Sequence, residues 1–163
     1  MIALGAVNIG LGELVASVDP GVTLGALGLG SCIAVVVYDG RARVGGLAHV
    51  VLPIVPPGHG VMVPGRFAPL AVPELVRRAE ELGASRKRLR AWLVGGAHVL
   101  PAAALAVGDI GERNARACRD ALRSLRVAVA GEAVGGAKGR SVRLAVADGT
   151  VAWRTIGEDW RPL

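Results

Sequence analysis

The chain has little with which to staple or stack itself. Two cysteines in 163 residues provide no disulfide framework, and a cysteine kept as a free thiol fits a reducing compartment, so the cytoplasm is the expected location. Aromatic residues make up 3%, which leaves the core to Ala and the branched aliphatics. The same scarcity speaks against nucleic acid: the densest basic run, Arg86-Lys87-Arg88-Leu89-Arg90, has only Trp92 nearby as a stacking ring. The net charge of +6 therefore reads as a solvated face or a surface for an acidic protein partner. Residues 1–12 are apolar but have no basic flank, and Glu13 interrupts them, so no secretory signal is read there. The longest apolar stretch, 21–37, is short for a membrane span and carries Gly25, Gly28, Gly30 and Ser31. No membrane insertion is expected. No His, Cys and Asp cluster has zinc spacing, and neither G-x-G-x-x-G nor a Gly-Lys-Ser/Thr phosphate loop occurs, so neither a metal nor a cofactor is expected.

What the chain does have is 52% hydrophobic residues and 24 glycines, enough to bury one core punctuated by many turns, hence a single domain over 1–163. The opening residues 1–19 read as a strand or two closed by Asp19-Pro20-Gly21. Val22–Leu29 and Ile33–Tyr38 read as strands flanking a Gly30-Ser31 kink, and Val44–Leu52 as a third beyond the Asp39-Gly40 turn. Residues 54–64, rich in Pro and Gly, read as a loop. A helix is predicted with Pro73 at its first position, Leu75, Val76, Ala79 and Leu82 as its apolar stripe, and Gly83 at its end. A strand around Leu89–Leu93 ends at Gly95-Gly96. A second helix runs from about Glu112 to Leu125, followed by short strands at 127–130, 142–146 and 151–156.

One constellation carries chemistry. Gly28-Leu29-Gly30-Ser31-Cys32 leads into the β-branched run 33–37, and His49 follows 17 residues after Cys32. That separation suits two adjacent antiparallel strands that bring thiol and imidazole side by side, the minimum for nucleophilic attack on an amide or ester carbonyl. Loop N–H groups around Gly30 and Ser31 would hold the oxyanion. On spacing alone, a buried structural cysteine and a satisfied core histidine account for the same two residues. Cys118 lies on the apolar stripe of the second helix and reads as core. His59 falls in the Pro/Gly loop and reads as solvent-facing, while His98, after Gly95-Gly96-Ala97, reads as lining a pocket or a partner surface.

These residues sit inside a wider pattern. Leu27-Gly28-Leu29-Gly30-Ser31-Cys32, Ala48-His49-Val50-Val51-Leu52-Pro53, Gly95-Gly96-Ala97, Ile110-Gly111-Glu112-Arg113-Asn114, Gly131-Glu132 with Gly135-Gly136, and Gly139-Arg140-Ser141-Val142 follow one another along the chain. In this order they resemble the CheD family of chemoreceptor glutamine deamidases. The resemblance implies an α+β fold of three layers, α/β/β, with helices packed on a β-sandwich as in bacterial toxin deamidases. It implies conversion of selected glutamines of methyl-accepting chemotaxis receptors to glutamate, with hydrolysis of glutamyl methyl esters as a related activity. Cys32 matches the family nucleophile and His49 its general base, and a CheC-type phosphatase of phosphorylated CheY is the implied partner.

Two departures from the family pattern bear on activity. The family threonine six residues before the cysteine, which supports the histidine, is Ala26 here; Thr23, Ser31 or a backbone carbonyl are the candidates to replace it. In Arg66-Phe67-Ala68-Pro69 the family shows Tyr and then Asp, so a hydroxyl and a carboxylate are lost. The alternative to an active deamidase is accordingly a binding module of weak or no activity that regulates a CheC-type phosphatase or the receptors.

Overall fold

A computed structural model describes residues 5–58, 63–99 and 109–163. Its strands form two five-stranded sheets. One is ordered β1 (Ala6–Asn8), β3 (Thr23–Leu29), β8 (Arg140–Ala145), β9 (Val151–Thr155) and β10 (Arg161–Pro162). The other is ordered β2 (Leu14–Ser17), β5 (Val44–Val50), β4 (Ile33–Asp39), β6 (Arg90–Gly95) and β7 (Ala128–Val134). Among the described residues the α-helices are α1 (Ala68–Glu81) and α2 (Ile110–Ser124).

The β-branched run 33–37 explains the layering. All seven residues of β4 are buried, which an ordinary half-exposed strand does not allow. Ile33, Val35 and Val37 pack with Leu75 and Val76 of α1 and with Cys118 and Leu122 of α2. Ala34, Val36 and Tyr38 pack the other way, against Leu24, Val142 and Leu144 of the first sheet. Helices, central sheet and second sheet are therefore stacked as an α/β/β sandwich, and residues of one strand feed both cores. Strand β5 fits between these layers because Gly45 and Gly46 are bare: a Cβ at either would lie 2.8 Å from Leu144 Cδ2 or Leu75 Cδ1 respectively.

Some boundaries differ from expectation. Helix α1 begins at Ala68, with Pro69 in its first turn and Pro73 inside it. Ala68, Ala71 and Val72 are buried and extend the stripe of Leu75, Val76 and Ala79 toward the N-terminus. An interior proline removes one helical hydrogen bond, and packing of that longer stripe outweighs the loss. Leu82 is the C-cap and largely exposed, not part of the stripe. Pro64–Arg66 forms a short 3-10 turn that starts on the last residue of the expected loop, and His59 lies outside the described residues. Helix α2 starts at Ile110, capped by Asp109, whose Oδ1 accepts the Glu112 N–H at 3.2 Å. The pairings β1·β3 and β6·β7 are parallel.

Candidate active site

Cys32 stands immediately before β4, and His49 lies near the end of β5. In the β4·β5 register His49 faces Ala34, so Cys32, two residues earlier, falls on the same side of the sheet. Both side chains line an open cleft of about 440 Å³, with Asn8, Ile9, Gly10, Leu11, Leu27 and Gly28 as its other walls. The mouth is apolar, with Leu11 and Leu27 both well exposed. Leu27 reaches it because β3 bulges between Ala26 and Leu29: these two are buried in the core, while Gly28 takes a left-handed φ of +65°. The Gly28 N–H is held by Ser141 Oγ at 3.2 Å.

His49 is buried, and its Nδ1 lies 3.0 Å from the Ile9 carbonyl oxygen. A carbonyl only accepts, so Nδ1 carries the proton and the lone pair of the neutral ring is on Nε2. Nε2 is buried and has no hydrogen-bond partner among the described residues. Ile9 is held in place by its turn: Glu13 Oε2 accepts the Gly10 N–H at 2.7 Å, and the backbone of Gly12 and Glu13 exchanges hydrogen bonds with His49 at 2.9 Å each. The position suggested for Thr23 or Ser31 beside the imidazole thus belongs to a backbone carbonyl. Thr23 pairs with Ala6 and Ala145 in the first sheet, and Ala26 is wholly buried opposite Val142.

Cys32 is half-buried. Burial pushes its thiol up from the ordinary range; its own N–H, close to the sulfur, and the Arg66 charge pull the other way without cancelling that rise. The thiol is therefore protonated at neutral pH unless a base takes its proton. Cys118, buried under α2, is pushed up to about 12 by desolvation and stays inert.

The lead-in to Cys32 is fixed from behind. The carbonyls of Gly30 and Cys32 accept the N–H groups of Ala97 and Gly96 at 2.8 Å each. Such close approach requires glycine at Gly95 (φ +119°), where a Cβ would stand 2.2 Å from the Cys32 carbonyl oxygen. Gly111 of α2 fits against the Gly96 carbonyl in the same way, with a Cβ at 2.4 Å. Asn114, one turn on and fully buried, donates from Nδ2 to the carbonyls of Ser31 and Val51 at 2.9 Å each. Asn114 stood in the sequence pattern without a role. Its only signal there was a polar residue on the same helical face as Ala115, Cys118 and Leu122.

Other features settle into structural places. His98 Nδ1 lies 3.1 Å from Asp109 Oδ2 at the start of α2. Two residues of the basic run pair with acids, Arg86 with Glu80 and Arg88 with buried Asp39, and Arg77 and Arg78 upstream pair with Glu74. Among the described residues no helix is long and apolar enough to cross a membrane.

The family model for CheD, chemotactic sensory transduction, matches residues 52–155. A Clostridium botulinum protein (strain Alaska E43) named "Probable chemoreceptor glutamine deamidase CheD" is 37% identical over 152 residues, 93% of each chain. The chain belongs to the CheD family. An Archaeoglobus fulgidus CheD protein of the same name is 38% identical over 154 residues, covering 93% of this chain and 96% of its own. The CheD family model begins beyond Cys32 and His49, but the pairwise likeness includes both, since at most 11 residues of 163 lie outside the 152. A solved Neisseria meningitidis structure aligns over 83% of this chain and 65% of its own, at 11% identity and a TM-score of 0.49, a likeness too slight to bear on CheD chemistry.

Proposed function

We propose that this chain is a chemoreceptor glutamine deamidase acting in the cytoplasm, with Cys32 as nucleophile and His49 as general base. The observation that carries this reading is the state of His49: Nδ1 is committed to the Ile9 carbonyl, Nε2 has no hydrogen-bond partner among the described residues, and the residue lines one cleft with Cys32. A base is needed there because the burial that raises the thiol leaves it protonated.

In this reading His49 Nε2 takes the thiol proton as sulfur attacks the carboxamide carbon. The oxyanion is met by N–H groups of the 30–32 loop, Cys32's own among them. Collapse of the tetrahedral intermediate forms the thioester and expels ammonia, protonated by the imidazolium. Water, deprotonated by His49, then attacks the thioester; glutamate leaves and the thiol is restored. One amide and one water yield one acid and one ammonia, and every proton passes through His49. A glutamyl methyl ester fits the same sequence with methanol as leaving group.

The apolar lips Leu11 and Leu27 suit a methyl-accepting receptor segment that presents its glutamine among small apolar residues. A CheC-type phosphatase is the expected second partner. The binding-module alternative drew on Ala26, and the Ile9 carbonyl supplies the orienting group whose loss that alternative invoked.

The test is intact-mass analysis of a chemoreceptor cytoplasmic fragment incubated with the protein, beside a Cys32→Ala control. A gain of about one dalton per site, the mass difference between amide and acid, that requires Cys32 is the expected outcome. An unchanged mass with well-folded protein and receptor from the same organism would overturn the reading.

A further inference from the structure

Asn114 contributes nothing to the cleft lining, yet its carboxamide touches both segments that carry the site. Nδ2 donates to the carbonyl of Ser31, the residue before Cys32, and to that of Val51, two residues past His49. The β4·β5 ladder ends at the Ile33–Val50 pair, so the Val51 carbonyl lies one residue beyond the last rung and the Ser31 carbonyl two. Beyond that rung the Gly96 and Ala97 N–H groups hold the Cys32 side, but the β4·β5 ladder itself no longer couples that side to the segment after His49. A carboxamide nitrogen has two donors in a fixed fork and bridges two acceptors; a carboxylate has none to give and a hydroxyl only one.

The other end of the side chain points to the same role. Asn114 Oδ1 is buried and without a hydrogen-bond partner among the described residues. Leaving a buried acceptor unsatisfied carries a penalty that an apolar side chain of similar volume would avoid while packing α2 on the sheet equally well. The amide therefore earns its place through its donors. Gly111, three residues earlier and so on the same face of α2, presses that helix onto the Gly96 carbonyl, while the Gly96 N–H binds the Cys32 carbonyl. Helix α2 thus registers the Cys32 segment at two points, and Asn114 also hydrogen-bonds the segment just past the strand of His49.

We propose that Asn114 is a positioning residue that fixes the reach of His49 Nε2 toward Cys32 sulfur by clamping the ends of β4 and β5 together. The proposal rests on the reading of Cys32 and His49 as a catalytic pair. It concerns how the pair is held, and it can fail while that reading stands.

The test uses the full chain and two measurements. Iodoacetamide alkylation at pH 7, followed by intact mass, reads Cys32 alone, because Cys118 is buried and its thiol lies far above that pH. Expected is that His49→Gln slows alkylation, that Asn114→Leu slows it about tenfold, and that the double variant is no slower than His49→Gln. Deamidation by Asn114→Leu should show kcat lowered by about 30- to 100-fold with KM within about threefold. Asn114→Ser, which keeps one donor, should recover part of kcat and serves if the leucine variant does not fold. A lower melting temperature with alkylation and kcat unchanged in both variants would reduce Asn114 to packing and overturn the proposal. Alkylation unchanged in His49→Gln would overturn the catalytic pair itself, and the clamp with it.

Discussion

A single added carbon at Gly95 should move Cys32, the proposed nucleophile. A Cβ there would stand 2.2 Å from the Cys32 carbonyl oxygen, and real Cβ atoms essentially never approach within 3.0 Å, so the oxygen must retreat by at least 3.0 − 2.2 = 0.8 Å. The Gly96 N–H, bonded to that oxygen at 2.8 Å, must follow it or let go. Two energies add in Gly95→Ala. A side chain at φ +119° costs about 1–3 kcal/mol, and the overlap with backbone costs about 1–3 kcal/mol more. Together these reach about 2–6 kcal/mol, a large part of an ordinary domain's stability. A displacement near 1 Å at a reacting group costs on the order of 10²-fold in rate. Gly83→Ala supplies the control: its φ is +104°, but its Cβ meets nothing within 4 Å. It should lose only the backbone term and keep full kcat. Urea denaturation measures both losses, and deamidation kcat is then read at low temperature on fractions verified as folded. If folded Gly95→Ala turned over within about threefold of Gly83→Ala, against the roughly 10²-fold expected, the packing of Gly95 against Cys32 would not govern the site.

Three further outcomes follow from other contacts. Burial pushes the Asp39 carboxyl up, but the Arg88 guanidinium and the N–H groups of Ser85, Ala42 and Arg41 outweigh it and hold it at about 2 against 3.8. A depressed carboxylate stabilises the fold above its unfolded pKa, so about 2 kcal/mol should be present above about pH 4 and lost as pH falls through 2. In urea titrations the stability gap between wild type and Asp39→Ala should accordingly narrow by about 2 kcal/mol between pH 7 and pH 2; parallel profiles would contradict this. Ala26→Thr should leave kcat within about twofold while costing about 1–3 kcal/mol, because Nδ1 of His49 is already bonded and the new hydroxyl is buried; a large gain in rate would show that the Ile9 carbonyl does not do the threonine's work. Glu13→Ala loosens the turn that presents Ile9 and should lower kcat by roughly threefold to tenfold with KM little changed; an unchanged kcat would remove Glu13 from the support of His49.

The fold was legible where one residue pattern had one solution. The run 33–37 and the turn at Asp39-Gly40 predict β4 and its partner almost to the residue, because β-branched side chains between turn signals leave little choice. Helix α2 was nearly as plain from its apolar face, although it starts at Ile110, behind the capping Asp109, and not at Glu112. The start of α1 was not, since Pro73 mimics a first helical position and tertiary burial of Ala68, Ala71 and Val72 is invisible to local rules. Nor does any local pattern say that β3 belongs to a different sheet from β4, its neighbour in sequence. The break is made by the bulge at 27–28 and the Gly30–Cys32 lead-in, the same segment that builds the cleft wall.

The site divides along a different line. Side-chain chemistry could be read ahead of the structure: a thiol after a glycine-rich loop and an imidazole 17 residues on are visible as letters, and both line one cleft. Backbone chemistry could not. Every residue has a carbonyl, so nothing in Ile9 marks it as the group that sets the tautomer of His49, and nothing in Ser31 or Val51 marks them as acceptors for Asn114. For the same reason, losing a threonine at position 26 weighs less than the sequence implies. A carbonyl held by a tight turn orients an imidazole as firmly as a hydroxyl does, and it has no rotamer to lose. Where the partner of a catalytic side chain is main chain, substitution at the family's side-chain position tests the wrong atom. The residues to alter are those that hold the carbonyl in place, here Glu13 and the turn it closes.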